Sequence, residues 1–299
     1  KSDLSFMPSE NIWTKVNSES DACMGMRCPF HNECFVMRVR KEAAGANLIV
    51  VNHHLLFADI ESRLDGAGYQ DAAVLPPYKH IVFDEAHGIE NAATSFFSES
   101  VNRFKLNKLI NQMYRKRKNS EAGHLCSIAI LSSNEEKAQQ AYDITSRIKA
   151  ALSNVELGAK DLLHNDYSMR LYDATARDFG PLLVYIGELA KALGDFTELV
   201  RFIMEGIDDD DKDIPSYWES KIILRRLDAY VILLKNFGVW DEKRDEVFWI
   251  QKRRLPPDMA KNDNDPEYII FTQTPLDISH LMNEGVYEQM SSVICTSAT

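Results

Sequence analysis

The chain has 299 residues, 45% of them hydrophobic, and a formal net charge of −11. That is enough apolar material for a buried core and for two structural units. The acidic balance argues against a general nucleic-acid coat protein but leaves room for a local basic track, because phosphate binding depends on where the cations sit.

No apolar run reaches the roughly 18 residues of a membrane span. The start, Lys1-Ser2-Asp3, lacks a basic-then-apolar signal pattern. A soluble, intracellular protein with no membrane partner is expected.

Three of the five cysteines crowd into residues 23–34, as Cys23, Cys28 and Cys34. An odd count clustered in this way does not suit a secreted disulfide framework; a reduced compartment with a metal or cluster site fits better. Three readings stay open. An iron–sulfur cluster accepts unequal spacings and takes four thiolates. His31 lies between Cys28 and Cys34, so Cys23, Cys28, His31 and Cys34 could form a Cys₃His zinc site, although zinc ribbons usually use cysteine pairs two residues apart. The third reading is three free, partly buried thiols. Arg27, Arg38, Arg40 and Lys41 flank the cysteines and are candidate phosphate contacts.

Residues 47–52 form a short apolar run rich in β-branched side chains, and residues 80–83 form another, entered through Pro76-Pro77. Both are predicted as buried parallel strands. A helical pattern follows each, over 54–64 and 86–97, which implies α/β architecture. From about 103 to 237 the period is helical, with faces at Ile148/Leu152/Val155, Leu182/Ile186/Leu189/Leu193 and Ile223/Leu227/Val231/Leu234. No comparable strand signal is seen there. Arg103, Lys105, Lys108, Arg115, Lys116, Arg117 and Lys118 occur with no acid between Val101 and Ser120. That stretch reads first as a solvated helix face and second as a phosphate-contacting edge. Asp208 to Asp211 reads as a solvated loop. Strand character returns at 247–250, 268–271 and 292–295.

Asp84-Glu85 directly follows the strand predicted at 80–83. In open α/β sheets ligands bind at the carboxyl ends of strands. An Asp there can hold Mg²⁺ against nucleotide phosphates, and a neighbouring Glu can deprotonate an attacking water. His87 is placed to sense the γ-phosphate. The competing reading, a helix start favoured by two acids, does not account for the apolar strand immediately before it. His53 and His54 fit a turn with a capping role better than a metal site.

These motifs carry a family resemblance. Asp84-Glu85-Ala86-His87 resembles helicase motif II, and Thr296-Ser297-Ala298-Thr299 resembles motif III. Asn52-His53-His54-Leu55-Leu56 and Thr274-Pro275-Leu276-Asp277-Ile278-Ser279 resemble the elements that precede motifs II and III in DinG/XPD-like iron–sulfur DNA helicases of superfamily 2. The order, the spacing and the intervening helical stretch resemble that family over nearly the whole chain.

The resemblance implies a partial parallel-sheet RecA-like motor domain carrying a cysteine-cluster insertion and a large helical arch. On that basis 1–46 would be the cluster region, 47–100 the first motor segment, 101–243 the arch, and 244–299 the return to the motor. It implies ATP-dependent 5′→3′ helicase activity on single-stranded or forked DNA in replication or repair, with ATP, Mg²⁺ and a [4Fe–4S] cluster as cofactors. By carry-over Asp84 is the Mg²⁺ carboxylate and Glu85 the general base. His87 with Thr296, Ser297 and Thr299 couples hydrolysis to DNA movement, and Cys23, Cys28 and Cys34 are cluster ligands. Repair or replication proteins are the implied partners, and a monomeric, cytoplasmic, nucleoid-associated parent is expected.

The chain lacks an initiator Met and stops just after the apolar stretch 293–295, so both ends are read as cuts in a longer protein, with the fourth cluster cysteine lying upstream. No Gly-x-x-x-x-Gly-Lys-Ser/Thr phosphate loop occurs; the nearest look-alike, Gly158-Ala159-Lys160-Asp161, lacks the hydroxyl. The chain by itself is therefore expected not to hydrolyse ATP. The alternative function is a non-catalytic metal-binding module whose helical part docks a protein partner.

Overall fold

The computed structural model describes residues 5–6, 28, 30–118, 120–255 and 266–298. Two compact units divide the chain, Lys1–Asn47 and Leu48–Thr299.

In the first unit a 3₁₀ turn, His31–Glu33, leads into helix α1, Phe35–Ala44. Cys34 sits at the N-cap in an extended conformation, its thiol makes no capping bond, and its carbonyl accepts the Arg38 N–H at 3.0 Å. Helix α1 buries none of its residues within this unit.

The second unit begins with residues 48–52. Predicted as a buried strand, they join no ladder among the described residues. Leu48 and Val50 are 80% and 88% exposed. An apolar, β-branched run becomes a strand only where a neighbour supplies hydrogen-bond partners.

Asn52 then caps α2, His53–Ser62, its Oδ1 accepting the Leu55 N–H at 2.8 Å. A wide turn over Arg63–Ala67 ends the helix, with Gly66 at φ 116. Strand β1, His80–Phe83, follows, then a 3₁₀ turn at Ala86–Gly88 and α3, Ile89–Phe96.

Next come β2, Glu99–Asn102, and α4, Arg103–Met113. Strands β3, Arg115–Arg117, and β4, Ser120–Ala122, form a hairpin. After α5, His124–Ser132, and α6, Glu135–Leu163, comes β5, Ser168–Leu171. Helices α7, Ala176–Glu205, and α8, Pro215–Gly238, precede β6, Glu246–Arg254, and β7, Glu267–Pro275. A short helix α9, Ser279–Met282, and a wide turn, Asn283–Tyr287, lead to β8, Ser292–Cys295.

The architecture is mixed α/β, with two unlike sheets besides the β3–β4 hairpin among the described residues. Strands β1 and β8 pair in parallel, His80 opposite Ser292 through Phe83 opposite Cys295. Strands β2, β7, β6 and β5 form an antiparallel sheet in that order. The expected all-helical stretch 103–237 therefore contains β3, β4 and β5 as well. Their short, charged sequences, with only Met169 and Leu171 alternating in β5, carry little periodic signal.

Each sheet has its own core. Phe57, Ile60, Phe83, Ala93 and Val286 centre a small cluster around β1 and β8. A larger cluster joins α4 to α8 with one face of the antiparallel sheet. Phe237 of α8 meets Phe248 and Phe271 edge-on, at ring-centroid distances of 5.1 and 5.9 Å. The helical faces read from periodicity are buried: Ile148, Leu152 and Val155 in α6; Leu182, Ile186, Leu189 and Leu193 in α7; Ile223, Leu227, Val231 and Leu234 in α8.

Candidate functional site

Parallel pairing puts the carboxyl ends of β1 and β8 at the same edge. Residues 84–87 leave one strand there and residues 296–298 leave the other. The Thr296 N–H donates to the Phe83 carbonyl at 2.8 Å, and the Ala86 N–H donates to the Thr296 carbonyl at 2.8 Å. The backbone ladder thus runs past the strands and stitches the two motifs together.

Side chains continue that link. Thr296 Oγ1 donates to Asp84 Oδ1 at 3.0 Å. His87 Nδ1 lies 3.1 Å from Ser297 Oγ and 3.2 Å from Glu85 Oε2. Asp84, Glu85 and His87 are all exposed, so the carboxylates stand where a solvent-borne ligand can reach them. Glu85 adopts a left-handed conformation, φ 50 and ψ 49. For a non-glycine residue that costs about 1 kcal/mol. The turn holds it through the Gly88 N–H, which donates to the Glu85 carbonyl at 2.9 Å. Of the hydroxyls predicted at Thr296, Ser297 and Thr299 to couple hydrolysis to movement, that of Thr299 lies outside the described residues.

The histidines before the site serve packing. His53 lies 6.0 Å from the Phe83 ring and 6.3 Å from Phe57, and His54 meets Phe96 edge-on at 6.2 Å. The capping role falls to Asn52. Asp277 shapes the turn before α9, its Oδ1 accepting the Ser279 N–H at 2.7 Å. The Ser279 hydroxyl, and then that backbone bond, hold its carboxyl below the usual range.

A polar latch around the loop that enters β1 was not read from the sequence. Arg63 and Asp59 form a fully buried pair, Nε to Oδ2 at 2.7 Å. Arg63 Nη1 donates to the Gly68 and Asp71 carbonyls, and Nη2 to those of Leu75 and Pro76, at 2.9 to 3.2 Å. All five guanidinium donors are thereby used. Asp59 also accepts the Leu75 N–H at 2.7 Å and the Tyr78 hydroxyl at 2.8 Å. The loop entering β1 is thus wrapped around one ion pair. Burial, and then the Asp59 charge, push the Tyr78 hydroxyl well above its ordinary value. Tyr69, over which the Arg63 guanidinium stacks, donates to the Gly285 carbonyl at 2.7 Å and ties in the segment leading to β8. The i,i+4 spacing of Asp59 and Arg63 was the available signal.

In the first unit Cys28 and Cys34 are free thiols, both partly buried. The His31 N–H donates to the Cys28 carbonyl, and the Cys34 N–H to that of His31, so both cysteines belong to one tight turn. His31 Nε2 is shielded from solvent and has no hydrogen-bond partner among the described residues. Among those residues no three His, Cys, Asp or Glu side chains form a metal-holding group. Cys23 and Arg27 lie outside them. Arg38, Arg40 and Lys41 are exposed on α1.

The basic stretch after Val101 is partly engaged within the fold. Lys105 Nζ donates to the Ser100 carbonyl and hydroxyl at 2.9 and 3.0 Å, and burial lowers its pKa. Lys116 pairs with Glu121 at 2.8 Å. Both lysines remain exposed while making these bonds, and Lys116 lies on β3 rather than on a helix. No described helix is long and apolar enough to cross a membrane.

No protein-family model matches the chain. Among curated proteins it is 39% identical over 107 residues to ATP-dependent DNA helicase YoaA of Haemophilus influenzae, covering 35% of the chain and 16% of that protein. It is 28% identical over 183 residues to ATP-dependent DNA helicase YoaA of Escherichia coli, covering 59% and 28%. It is 35% identical over 96 residues to ATP-dependent helicase DinG of Mycobacterium tuberculosis, covering 32% and 13%. The matched segments thus span less than a third of each relative. Over those segments the chain is similar to proteins named ATP-dependent DNA helicase YoaA and ATP-dependent helicase DinG.

Proposed function

We propose that the chain is part of an ATP-dependent DNA helicase and that Asp84-Glu85-Ala86-His87 is its nucleotide-hydrolysis motif. The observation that carries this reading is the pairing of β1 with β8, which brings Asp84 within 3.0 Å of Thr296 across 212 residues of sequence. Helicase-like motifs II and III lie far apart in sequence and meet here at one strand edge.

In this reading Asp84 holds Mg²⁺, whose charge offsets that of the β- and γ-phosphates of ATP. The exposed oxygens of Asp84 and their position at the strand's carboxyl end fit a hard cation. Glu85 accepts the proton of the attacking water. His87, Thr296, Ser297 and Thr299 form the link between hydrolysis and movement along DNA. Residues 47–100 and 244–299 belong to a RecA-like motor, 101–243 to a helical arch, and 1–46 to a cluster region. The motor moves 5′→3′ on single-stranded or forked DNA during replication or repair, alongside replication or repair proteins, as a cytoplasmic, nucleoid-associated monomer.

Cys23, Cys28 and Cys34 supply three thiolates of a [4Fe–4S] cluster. The free thiols of Cys28 and Cys34 on one turn fit that donor set, and a cluster there gives the region a rigid centre. Arg27, Arg38, Arg40 and Lys41 line the DNA beside it. Iron and sulfide assays on anaerobically purified protein test the cluster; stoichiometric zinc without iron would reject it and favour the Cys₃His site.

Within these 299 residues no phosphate loop completes the nucleotide site, so this chain alone does not turn over ATP. In a longer protein that contains it, Glu85→Gln abolishes DNA-stimulated ATP hydrolysis. Unchanged turnover in that variant would sink the reading. So would DNA-stimulated turnover by the 299-residue chain itself that is insensitive to the substitution.

A further inference from the structure

The antiparallel sheet has two unlike faces. Phe248, Ile250, Ile269 and Phe271 point into the helical core and are at most 3% exposed. Their alternate neighbours Trp249, Gln251, Tyr268 and Ile270 point the other way and stay partly exposed. The Trp249 Nε1–H donates to Thr274 Oγ1 at 3.3 Å, which places both on that second face.

The second face has an unusual charge. In a chain of net charge −11, its positions on β2, β5, β6 and β7 carry two arginines, Arg170 and Arg253, and no carboxylate. Both arginines are exposed, and each lies directly opposite an aromatic residue in the register: Arg170 opposite Trp249, and Arg253 opposite Tyr268. The carboxylates of these strands, Glu99, Glu246 and Glu267, fall on the other alternation. Lys105 reaches the edge of the same face through its bonds to Ser100.

We infer that this face is a platform for single-stranded nucleic acid. Aromatic rings on a rigid sheet stack bases without sequence preference, while flanking guanidinium groups neutralise the backbone phosphates. Two Arg–aromatic pairs, set four residues apart along β6, repeat that unit about 13 Å apart. Gln251, partly exposed, adds a neutral hydrogen-bonding group between them. Phe104 meets the Tyr268 ring edge-on at a centroid distance of 5.1 Å and props it from within the chain; with two arginines and no carboxylate on the face, the occupant is a polyanion with flat faces. The inference rests on the nucleic-acid reading above and extends it to a surface that motifs II and III do not touch.

The test uses the 299-residue chain with a fluorescent oligodeoxythymidine. Arg170→Glu combined with Arg253→Glu should weaken binding about ten-fold and lower the salt slope by about 1.4, since each lost phosphate contact on a single strand contributes about 0.7. Both arginines are exposed, so the variant should keep the parent's circular dichroism and melting temperature. Photo-cross-linking with 5-iododeoxyuridine in the oligonucleotide, read on the unmodified chain, should map to Trp249 or Tyr268. Unchanged affinity and slope in the double variant, or cross-links only at other peptides, would overturn the platform. If that occurs while Glu85→Gln still abolishes turnover in the longer protein, the motif reading stands alone. Binding lost in the double variant while turnover survives Glu85→Gln would support the platform and overturn the motif reading.

Discussion

The two cores of the Leu48–Thr299 unit are held by different forces. Around α4 to α8, three helices of 29, 30 and 24 residues pack apolar faces on one another and on a sheet. Around β1 and β8 the apolar cluster is small, and a buried ion pair with its hydrogen bonds closes the loop instead. The large core tolerates loss at its rim because stability is spread over many side chains. The small one concentrates its order in a few polar groups, and those groups hold the loop that enters the amino end of β1, while the exposed carboxylates follow its carboxyl end.

Breaking the latch is the largest expected effect on that contrast. Arg63→Ala leaves Asp59 buried without its cation and should destabilise the β1–β8 region by about 3–5 kcal/mol. Hydrogen exchange should then show amides of α2, β1 and β8 losing protection while those of α6 to α8 keep theirs. Uniform loss across both regions would mean that the two cores unfold as one. Phe196→Ala, at a fully buried side chain of α7, is the matching cut in the helical core. It should cost about 3–5 kcal/mol there, from lost transfer energy and the cavity left behind.

Two glycines sharpen the contrast on a smaller scale. A Cβ on Gly285 would lie 2.5 Å from Ile60 Cγ2, so Gly285→Ala should destabilise by about 1–3 kcal/mol through overpacking. A Cβ on Gly187, within α7, meets nothing within 4 Å. Gly187→Ala should therefore stabilise by about 0.5–1 kcal/mol. Thermal melts of the two variants should shift in opposite directions; a shift of the same sign would refute the packing described around one of them.

The smallest effect is in the pH dependence. Burial, with a hydrogen bond to Glu121, pushes the Tyr114 hydroxyl in the helical core up to about 12, and burial raises Tyr78 in the latch as well. A raised acid group binds its proton more tightly in the folded state. Its contribution is therefore complete below pH 10 and is lost as pH rises from about 10 toward 12. Tyrosinate absorbance should show part of the tyrosines ionising only with unfolding. Smooth titration near pH 10 of all of them would contradict the burial of these hydroxyls.

Much of this arrangement was legible beforehand. The run at 80–83 is short, apolar and followed by two acids, and it became β1 with the carboxylates at its end. The helical faces of α6, α7 and α8 were legible because their period repeats over many turns. The latch was not, because whether an Asp–Arg pair faces solvent or wraps a loop depends on how residues 5 to 19 positions away fold back on it. The run at 47–52 misled because apolar content reports burial preference and says nothing about a pairing neighbour. The segments 247–250 and 268–271 were correctly read as strands. Their antiparallel pairing, and their union with β2 and β5, lay beyond periodicity, since register depends on partners distant in sequence.

One pairing also bears on how the chain assembles. Strands β1 and β8 must meet across roughly two hundred residues, a closure that random search makes slow. Glu99 at the start of β2 lies opposite Gln273 near the end of β7, so the helical region, once formed, brings its own two ends together. What remains is two short tethers in place of one long loop, which lowers the closure entropy by about 1–2 kcal/mol. The insertion thereby acts as a clasp: order in the helical region makes the meeting of the two motif-bearing strands a local event.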